Sequence, residues 1–316
     1  MIRYHTKVGG ELVSVDTLQE ADWISLVPPY DHGELERFSI DQEIPLDFLT
    51  DSLDIDERSR FEREEDATLI LVNTPLLNED AKENESIYYT APIGIILKGQ
   101  QIITVTPRDN PIIEKFSENR VKNFNPGDPK LFILQLFEQN VLRFLDCLKK
   151  LNLKRNLIEQ ELYNSSRNKE LQQLLRIEKS LVYFVNSLSA NELLKLKMKR
   201  TDLLQIRELE YHSDLYEDVI IDNGQALEVA NVHTNILGGT MEAYASIVSN
   251  NMNLFINRLT IITIILMVPT LVASFFGMNV ELPFDSQSTY AFYVIIGVSV
   301  TFVVGLIMFF RSKSQI

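Results

Sequence analysis

The chain has 316 residues and a formal net charge of −14, with 44 acidic against 30 basic side chains. This charge disfavours nucleic acid as a partner, because phosphates require a basic surface, and it favours cations. The single cysteine, Cys147, excludes an intrachain disulfide and a cysteine-based zinc cluster. One buried thiol of this kind is typical of a cytosolic body.

The region 1–128 is predicted to be a cytosolic α/β domain. Nine of the eleven prolines fall within the first 129 residues, and β-branched runs occur among them. The run 68–72 predicts a strand that ends at Pro75. The runs 93–97 and 102–106 predict a hairpin, since only four residues, Lys-Gly-Gln-Gln, separate them.

Eleven acidic residues fall between positions 41 and 66, against three arginines. One interpretation is a set of solvated helix faces. The other is a set of weak carboxylate sites for a divalent cation, which prefers oxygen ligands. The sequence leaves both open.

The 139 residues from 130 to 268 contain no proline, which is typical of long helices. Two or three cytosolic helices are predicted over 129–214. A single stalk helix is predicted over 215–276, because its apolar pattern runs through Gly238 and Gly239 into an apolar segment. Adjacent glycines weaken a helix by about 1 kcal/mol each without ending it, and close helix packing is a common reason for them.

Two uncharged apolar runs, 259–276 and 290–310, occupy the end of the chain. At about 1.5 Å of rise per residue, their 18 and 21 residues span a hydrocarbon core of roughly 30 Å. We therefore expect the stalk helix to cross the lipid bilayer over about 257–276 and a second transmembrane helix to cross it over 290–310.

Basic residues predict the orientation of these two helices. The connecting loop, 277–289, has two acidic residues but no Lys or Arg, whereas Arg258 and Arg311 flank the spans at their other ends. Excess Lys and Arg marks the cytoplasmic side, so the loop is predicted outside and the tail 311–316 inside. The N-terminus lacks an apolar signal-peptide core. A multi-pass protein of the inner (plasma) membrane is expected, with both termini cytoplasmic.

Small and polar side chains recur along one face of the first span. They are Thr260, Thr263, Met267, Thr270, Ser274 and Gly277, at intervals of 3, 4, 3, 4 and 3 residues. This average of 3.5 places them on one face of a helix that coils with neighbours, and one heptad back from Thr260 gives Asn253. Packing between membrane helices is one explanation. A wetted path is the other, and the amides at its two ends, Asn253 and Asn279, favour it.

Two spans per chain cannot enclose a pore, whereas a ring of identical chains can. Neither span contains Asp, Glu, Lys or Arg, which argues against a carrier that binds its ion through an ionisable group at membrane depth. Amide, hydroxyl and carbonyl oxygens would instead meet a cation through its water shell. This favours Mg²⁺, which dehydrates reluctantly.

The tripeptide Gly277-Met278-Asn279 directly follows the first span and precedes a second span at the end of the chain. In that location it resembles the signature of the CorA magnesium transporters. The segments 23–26, 53–58 and 92–96 also fall where the cytosolic domain of that family has similar sequence. The resemblance thus extends over essentially the whole chain.

The resemblance implies an α+β fold assembled as a homopentameric funnel. An N-terminal cytosolic α/β domain and long helices would be followed by a stalk helix that enters the membrane as the pore, with the second transmembrane helix outside it. Gly277, Met278 and Asn279 would form an outer mouth that selects hydrated Mg²⁺. The acids of the following loop are Glu281 and Asp285.

The resemblance also implies roles inside the pore and at the cytosolic end of the stalk. Asn253 matches an inner-gate asparagine, and the pore-lining matches are Ile256, Thr260, Met267 and Thr270; the stripe adds Thr263 and Ser274. Asp218 matches an acidic position that binds regulatory Mg²⁺ between subunits, and Asp222 is grouped with it.

These observations predict a channel or transporter for Mg²⁺ uptake down the electrochemical gradient, gated by cytosolic Mg²⁺ and without an organic cofactor. The same architecture used for Zn²⁺, or for Co²⁺ and Ni²⁺, is the nearest alternative. A membrane-tethered coiled-coil scaffold is the alternative from another class. An enzyme is not expected, because His5, His32, His212 and His233 are scattered without metal-ligand spacing.

Overall fold

The computed structural model describes residues 1–164, 168–207, 209–278 and 289–312. The chain divides into two compact units, Met1–Gly239 and Thr240–Ile316. Within the first unit a mixed sheet and the helices that follow it form one body. The division therefore does not separate residues 1–128 from the helices that follow them.

The first unit is built on a seven-stranded sheet. Its strands are β1 (Ile2–Val8), β2 (Glu11–Val15), β3 (Trp23–Leu26), β4 (Arg60–Glu64), β5 (Ala67–Leu77), β6 (Tyr88–Lys98) and β7 (Gln101–Val105). The strand order is β2-β1-β3-β7-β6-β5-β4. The β3–β7 pair is parallel, and the other neighbours are antiparallel.

The predicted hairpin is confirmed, because β6 and β7 pair in antiparallel register around a tight turn. Gly99 in that turn has φ +61°, a conformation that glycine adopts without steric cost.

The prediction that a strand ends at Pro75 is wrong, because β5 continues to Leu77. β4 pairs with β5 only as far as Leu71, so beyond that point one side of β5 has no neighbouring strand among the described residues. Asn73 turns its backbone N–H and C=O to that side, where both bond the side-chain amide of Asn191 at 3.0 and 2.8 Å. Pro75, two residues on, faces the same way, so its missing N–H costs no ladder hydrogen bond.

Seven α-helices are present in the described ranges. They are α1 (His32–Asp41), α2 (Leu46–Leu53), α3 (Pro111–Ser117), α4 (Pro129–Asn164), α5 (Asn168–Thr201), α6 (Glu210–Phe276) and α7 (Thr289–Ser312). The Asn110 side chain caps α3 by accepting from the N–H of Ile112 at 2.9 Å, and Pro111 takes the first helical position.

Helices cover both faces of the sheet. Alternate residues of β5 point to opposite sides, so Leu69 and Leu71 pack with α1 and α2. Ile70 and Val72 belong to a second core that includes side chains of α3, α4, α5 and α6, such as Phe132. The long helices thus complete the core that the sheet begins.

The acidic run is spread over α1, α2, β4 and their connections rather than along one helix face. Three of its carboxylates pair with Arg60: Asp51 and Glu57 at 2.8 Å, and Glu62 at 3.2 Å.

The helix α6 is unbroken through Pro269 and through the adjacent glycines. Apart from the nearby backbone of α6 itself, no atom lies within 4 Å of the point where a Cβ would stand on Gly238 or Gly239. The described part of this chain therefore offers those glycines no packing partner.

Candidate functional site

The second unit presents the predicted stripe on an open face of α6. All seven predicted pore-lining residues are exposed in the single chain: Asn253, Ile256, Thr260, Thr263, Met267, Thr270 and Ser274. A single chain thus leaves this face available either to water or to further copies.

The less exposed positions of the same segment lie on the other side of the helix. Ile261 is buried, and the half-buried positions are Ile265, Val268, Pro269, Val272 and Phe276. At 3.6 residues per turn they centre about 170° around the helix axis from the stripe. Pro269 lines a groove together with residues of α7 such as Ile296. α7 therefore lies on the side of α6 that faces away from the stripe.

Three threonines of the stripe use their hydroxyl protons within the helix. Thr260, Thr263 and Thr270 each donate to the carbonyl oxygen four residues earlier, at 2.8, 2.8 and 3.1 Å. A hydroxyl has only one proton, so its oxygen lone pairs are left to accept hydrogen bonds from outside. Thr301 in α7 makes the same bond at 2.8 Å, so the bond alone does not distinguish a pore face from a packing face.

Pro269 lacks the N–H that would bond the Ile265 carbonyl. Both residues lie on the side of α6 that carries α7, not on the stripe. The carbonyl released by the proline thus adds no ligand to the stripe.

The signature tripeptide begins where α6 ends. The Gly277 N–H donates to the Ala273 carbonyl at 2.9 Å and closes the last turn. A Cβ on Gly277 would stand 3.1 Å from that oxygen, so the close approach favours glycine. Met278 follows and is exposed. Asn279, Glu281 and Asp285 lie outside the described residues.

A family model described as CorA-like Mg²⁺ transporter protein matches residues 19–312. The chain belongs to the CorA-like Mg²⁺ transporter family. The predicted resemblance is confirmed, and the family is one of membrane ion transporters rather than a class of enzymes. Two described helices, α6 and residues Phe292–Ser312 of α7, have the length and apolar composition to cross a membrane.

Two curated relatives match over most of their length. The cobalt/magnesium transport protein CorA of Methanocaldococcus jannaschii is 26% identical over 305 residues, which cover 93% of this chain and 91% of that protein. The magnesium transport protein CorA of Campylobacter jejuni is 23% identical, with 97% and 95% covered.

Solved structures share the fold. The complete CorA structure from M. jannaschii matches with a TM-score of 0.81 at 22% identity, covering 100% of this chain and 99% of that one. The ZntB cytoplasmic domain from Vibrio parahaemolyticus matches with a TM-score of 0.61 at 11% identity, covering 78% and 98%. The CorA match includes the α/β domain, the long helices and the two apolar C-terminal helices.

The acids predicted to regulate this CorA-family chain lie in the part of α6 that belongs to the first unit. Asp218 is exposed and Asp222 is half-buried, and both lie off the face that packs on α5. Within the described ranges, no group of three or more His, Cys, Asp or Glu side chains could hold a metal ion.

The cysteine and histidines of this CorA-family chain have structural surroundings. Cys147 is buried, as predicted, and burial raises its pKa to about 11. His5 stacks on Trp23 with ring centroids 4.5 Å apart, and burial lowers its pKa to about 4. His212 contacts Asp128 at 3.1 Å, and burial lowers the pKa of His233. The His32 side chain is outside the described set.

The burial of Lys195 was not predicted from the sequence. Lys195 in α5 has no exposed surface and bonds Asn223 of α6 at 2.7 Å. It stands in a run of alternating leucines and lysines, which gives no signal that one lysine faces inward.

Proposed function

We propose that this chain assembles as a homopentamer in the plasma membrane and conducts hydrated Mg²⁺ into the cytosol down its electrochemical gradient. The observation that carries the proposal is the position of α7 on the side of α6 away from the stripe. A ring built with α7 toward lipid turns the stripe toward the axis. Membership of the CorA family supports the same assembly.

The chemistry of the stripe suits an ion that keeps its water shell. The hydroxyl oxygens of Thr260, Thr263 and Thr270 are acceptors toward their surroundings, and water around a cation presents its hydrogens outward. No charged side chain lies inside either span, so the ion meets no fixed site that would retain it. Rings of Ile256 and Met267 would form apolar constrictions that close the path by dewetting.

Entry would begin at the loop after α6. Asn279 side chains and backbone carbonyls of Gly277 and Met278 would hold the hydrated ion at the outer mouth, where Glu281 and Asp285 attract cations. Arg258 and Arg311 support a cytosolic position for the opposite ends of the spans. A membrane potential of 100 mV then favours inward movement by about 2.3 kcal/mol per charge.

Gating would depend on cytosolic Mg²⁺. The ion would bridge Asp218 and Asp222 across subunit interfaces and hold the ring closed. When its concentration falls, the carboxylates repel one another, the stalks separate, and the stretch from Asn253 to Met267 becomes wet. The ion that regulates the channel and the ion that passes through it are then the same species.

Co²⁺ is the alternative cargo with a specific observation behind it, because the M. jannaschii relative is a cobalt/magnesium transport protein. Uptake of Mg²⁺, Co²⁺ and Zn²⁺ into proteoliposomes, measured side by side, tests the choice. Mg²⁺ uptake that saturates at the lowest concentration supports the proposal, and uptake of Zn²⁺ or Co²⁺ alone contradicts it.

The Asn279→Ala variant separates a channel from a scaffold. A channel loses Mg²⁺ uptake while native mass spectrometry still shows the pentamer. A scaffold keeps its assembly, and neither the parent nor the variant transports Mg²⁺. Thr301→Ala in α7 is the matched control and should transport like the parent.

A further inference from the structure

Lys195 is a buried cation that the transport path does not use. Its side chain is completely buried in α5, and its Nζ donates to Asn223 Oδ1 on α6 at 2.7 Å. The ring of Phe137 from α4 lies 5.5 Å from the ammonium. A fully buried lysine held by one neutral amide is unusual, because burial of an ammonium is costly without a charged partner.

The groups around Lys195 offer it no ion pair within the described residues. Glu192, on the same helix, is the charged group that acts on it. α4 contributes the uncharged Phe137, and α6 contributes Asn223 and Tyr216, whose hydroxyl donates to the Lys195 carbonyl at 2.8 Å. Burial lowers the Lys195 pKa to about 7.

Asn223 interrupts an otherwise apolar face of α6. The buried residues of this face recur at heptad spacing: Tyr216, Val219, Asn223, Ala226 and Ala230. The Asn223 amide is used at both ends, because its Nδ2 also donates to the Leu188 carbonyl at 3.0 Å. Sliding α6 along α5 would leave the Lys195 ammonium buried without an acceptor. A polar residue in such a face fixes the register of the two helices.

We propose that Lys195 is a positioning residue that holds the cytosolic part of α6 in one register on α5, and that this hold weakens as the cytosolic pH falls. When α6 separates from α5, water reaches the amine and restores its usual affinity for a proton. Protons therefore bind the separated state more tightly than the packed state. By linkage, acid favours separation and alkali favours the packed register.

The consequence for transport rests on the proposed function. Asp222 directly precedes Asn223, so the register set by Lys195 also sets where the regulatory acids stand. If opening requires α6 to leave α5, lowering the pH from 8 to 6 favours opening by about tenfold for this group alone.

The transport experiment measures the internal Mg²⁺ concentration that half-inhibits uptake into proteoliposomes at pH 6 and pH 8. Carboxylate protonation also alters Mg²⁺ binding, so the Lys195→Met variant is compared with the parent. Between pH 6 and pH 8, the half-inhibiting Mg²⁺ concentration of the parent should change by a factor about tenfold larger than that of Lys195→Met. Lys197→Met, which removes an exposed lysine from the same helix, should behave like the parent. Equal pH dependence in the parent and Lys195→Met overturns the proposal.

A second readout does not require transport. Hydrogen exchange of the α6 segment around 216–226 is measured on the full-length protein at pH 6 and pH 8 and corrected for the intrinsic rates. Protection in the parent should be about tenfold higher at pH 8. Asn223→Asp supplies a carboxylate, so the ammonium is stable when buried and protection should no longer change. Protection in the parent that is independent of pH contradicts the proposal, even if Mg²⁺ uptake is normal. The predicted protection without Mg²⁺ uptake supports the Lys195 register and contradicts the transport function.

Discussion

Valine substitutions at Thr270 and at Thr301 test whether the stripe is a pore face or a packing face. Each hydroxyl donates to the carbonyl four residues earlier, at 3.1 and 2.8 Å, and each side chain is exposed in the single chain. Replacement by valine removes the same helix bond from both and keeps the side-chain shape. What differs is the surroundings of the oxygen, because only Thr270 lies on the stripe.

The expected magnitude follows from one lost acceptor. A hydrogen bond contributes about 1 kcal/mol net, and if that bond stabilises the ion at its highest barrier, uptake falls about fivefold. We expect Thr270→Val to lower Mg²⁺ uptake by at least that factor. Thr301→Val should stay within about twofold of the parent, which corresponds to a change of less than about 0.4 kcal/mol in the barrier.

The assay is initial Mg²⁺ uptake into proteoliposomes, normalised to the amount of reconstituted protein. Equal uptake by the two variants refutes the assignment of Thr270 to the water path. A larger loss for Thr301→Val places the conducting face on α7 instead.

Three further predictions test the fold, the gate and the buried cation. Gly94→Ala places a Cβ 1.9 Å from Ser52 Oγ, so we expect a loss of about 1–3 kcal/mol in unfolding free energy, partly restored by Ser52→Gly. Denaturation followed by the fluorescence of the single tryptophan measures it, and an unchanged midpoint contradicts the packing of α2 on β6. Asp218→Asn with Asp222→Asn should raise uptake at high internal Mg²⁺, and unchanged inhibition removes both from the sensor. Because burial lowers the Lys195 pKa to about 7, the unfolded state binds more protons above pH 7. The unfolding free energy of the parent, relative to that of Lys195→Met, should then rise by about 1.4 kcal/mol per pH unit from pH 7 toward pH 10. A difference between the two proteins that does not change with pH contradicts the lowered Lys195 pKa.

The sequence was sufficient to predict features that depend on residues close together in the chain. The Lys-Gly-Gln-Gln connection predicted a hairpin because a glycine at positive φ closes such turns, and Gly99 adopts that conformation. The apolar runs and the heptad spacing predicted a long helix that contains the stripe, because period and length are properties of a single segment. The signature tripeptide predicted the family, which the family model confirms, whereas the roles of individual residues stay predictions.

The sequence did not predict features that depend on residues far apart in the chain. The cost of Pro75 depends on where β4 stops pairing, which no property of β5 reveals. The burial of Lys195 depends on Phe137 and Asn223, which α4 and α6 bring to it. Likewise, the spacing of the stripe did not reveal which side of α6 is covered by α7, and that observation supports the proposed water path.

Thiol accessibility along α6 tests the central claim most directly. Cys147 is the only cysteine, it is buried, and burial raises its pKa to about 11, so the parent reacts little with a charged thiol reagent. Single cysteines are placed at Thr263, Thr270 and Ser274 on the stripe and at Val268 and Val272 on the other side. We expect the stripe cysteines to react from the aqueous phase and to block Mg²⁺ uptake, while the other two stay unreactive. Reaction at Val268 and Val272 with protection of the stripe would contradict a water path lined by this face of α6.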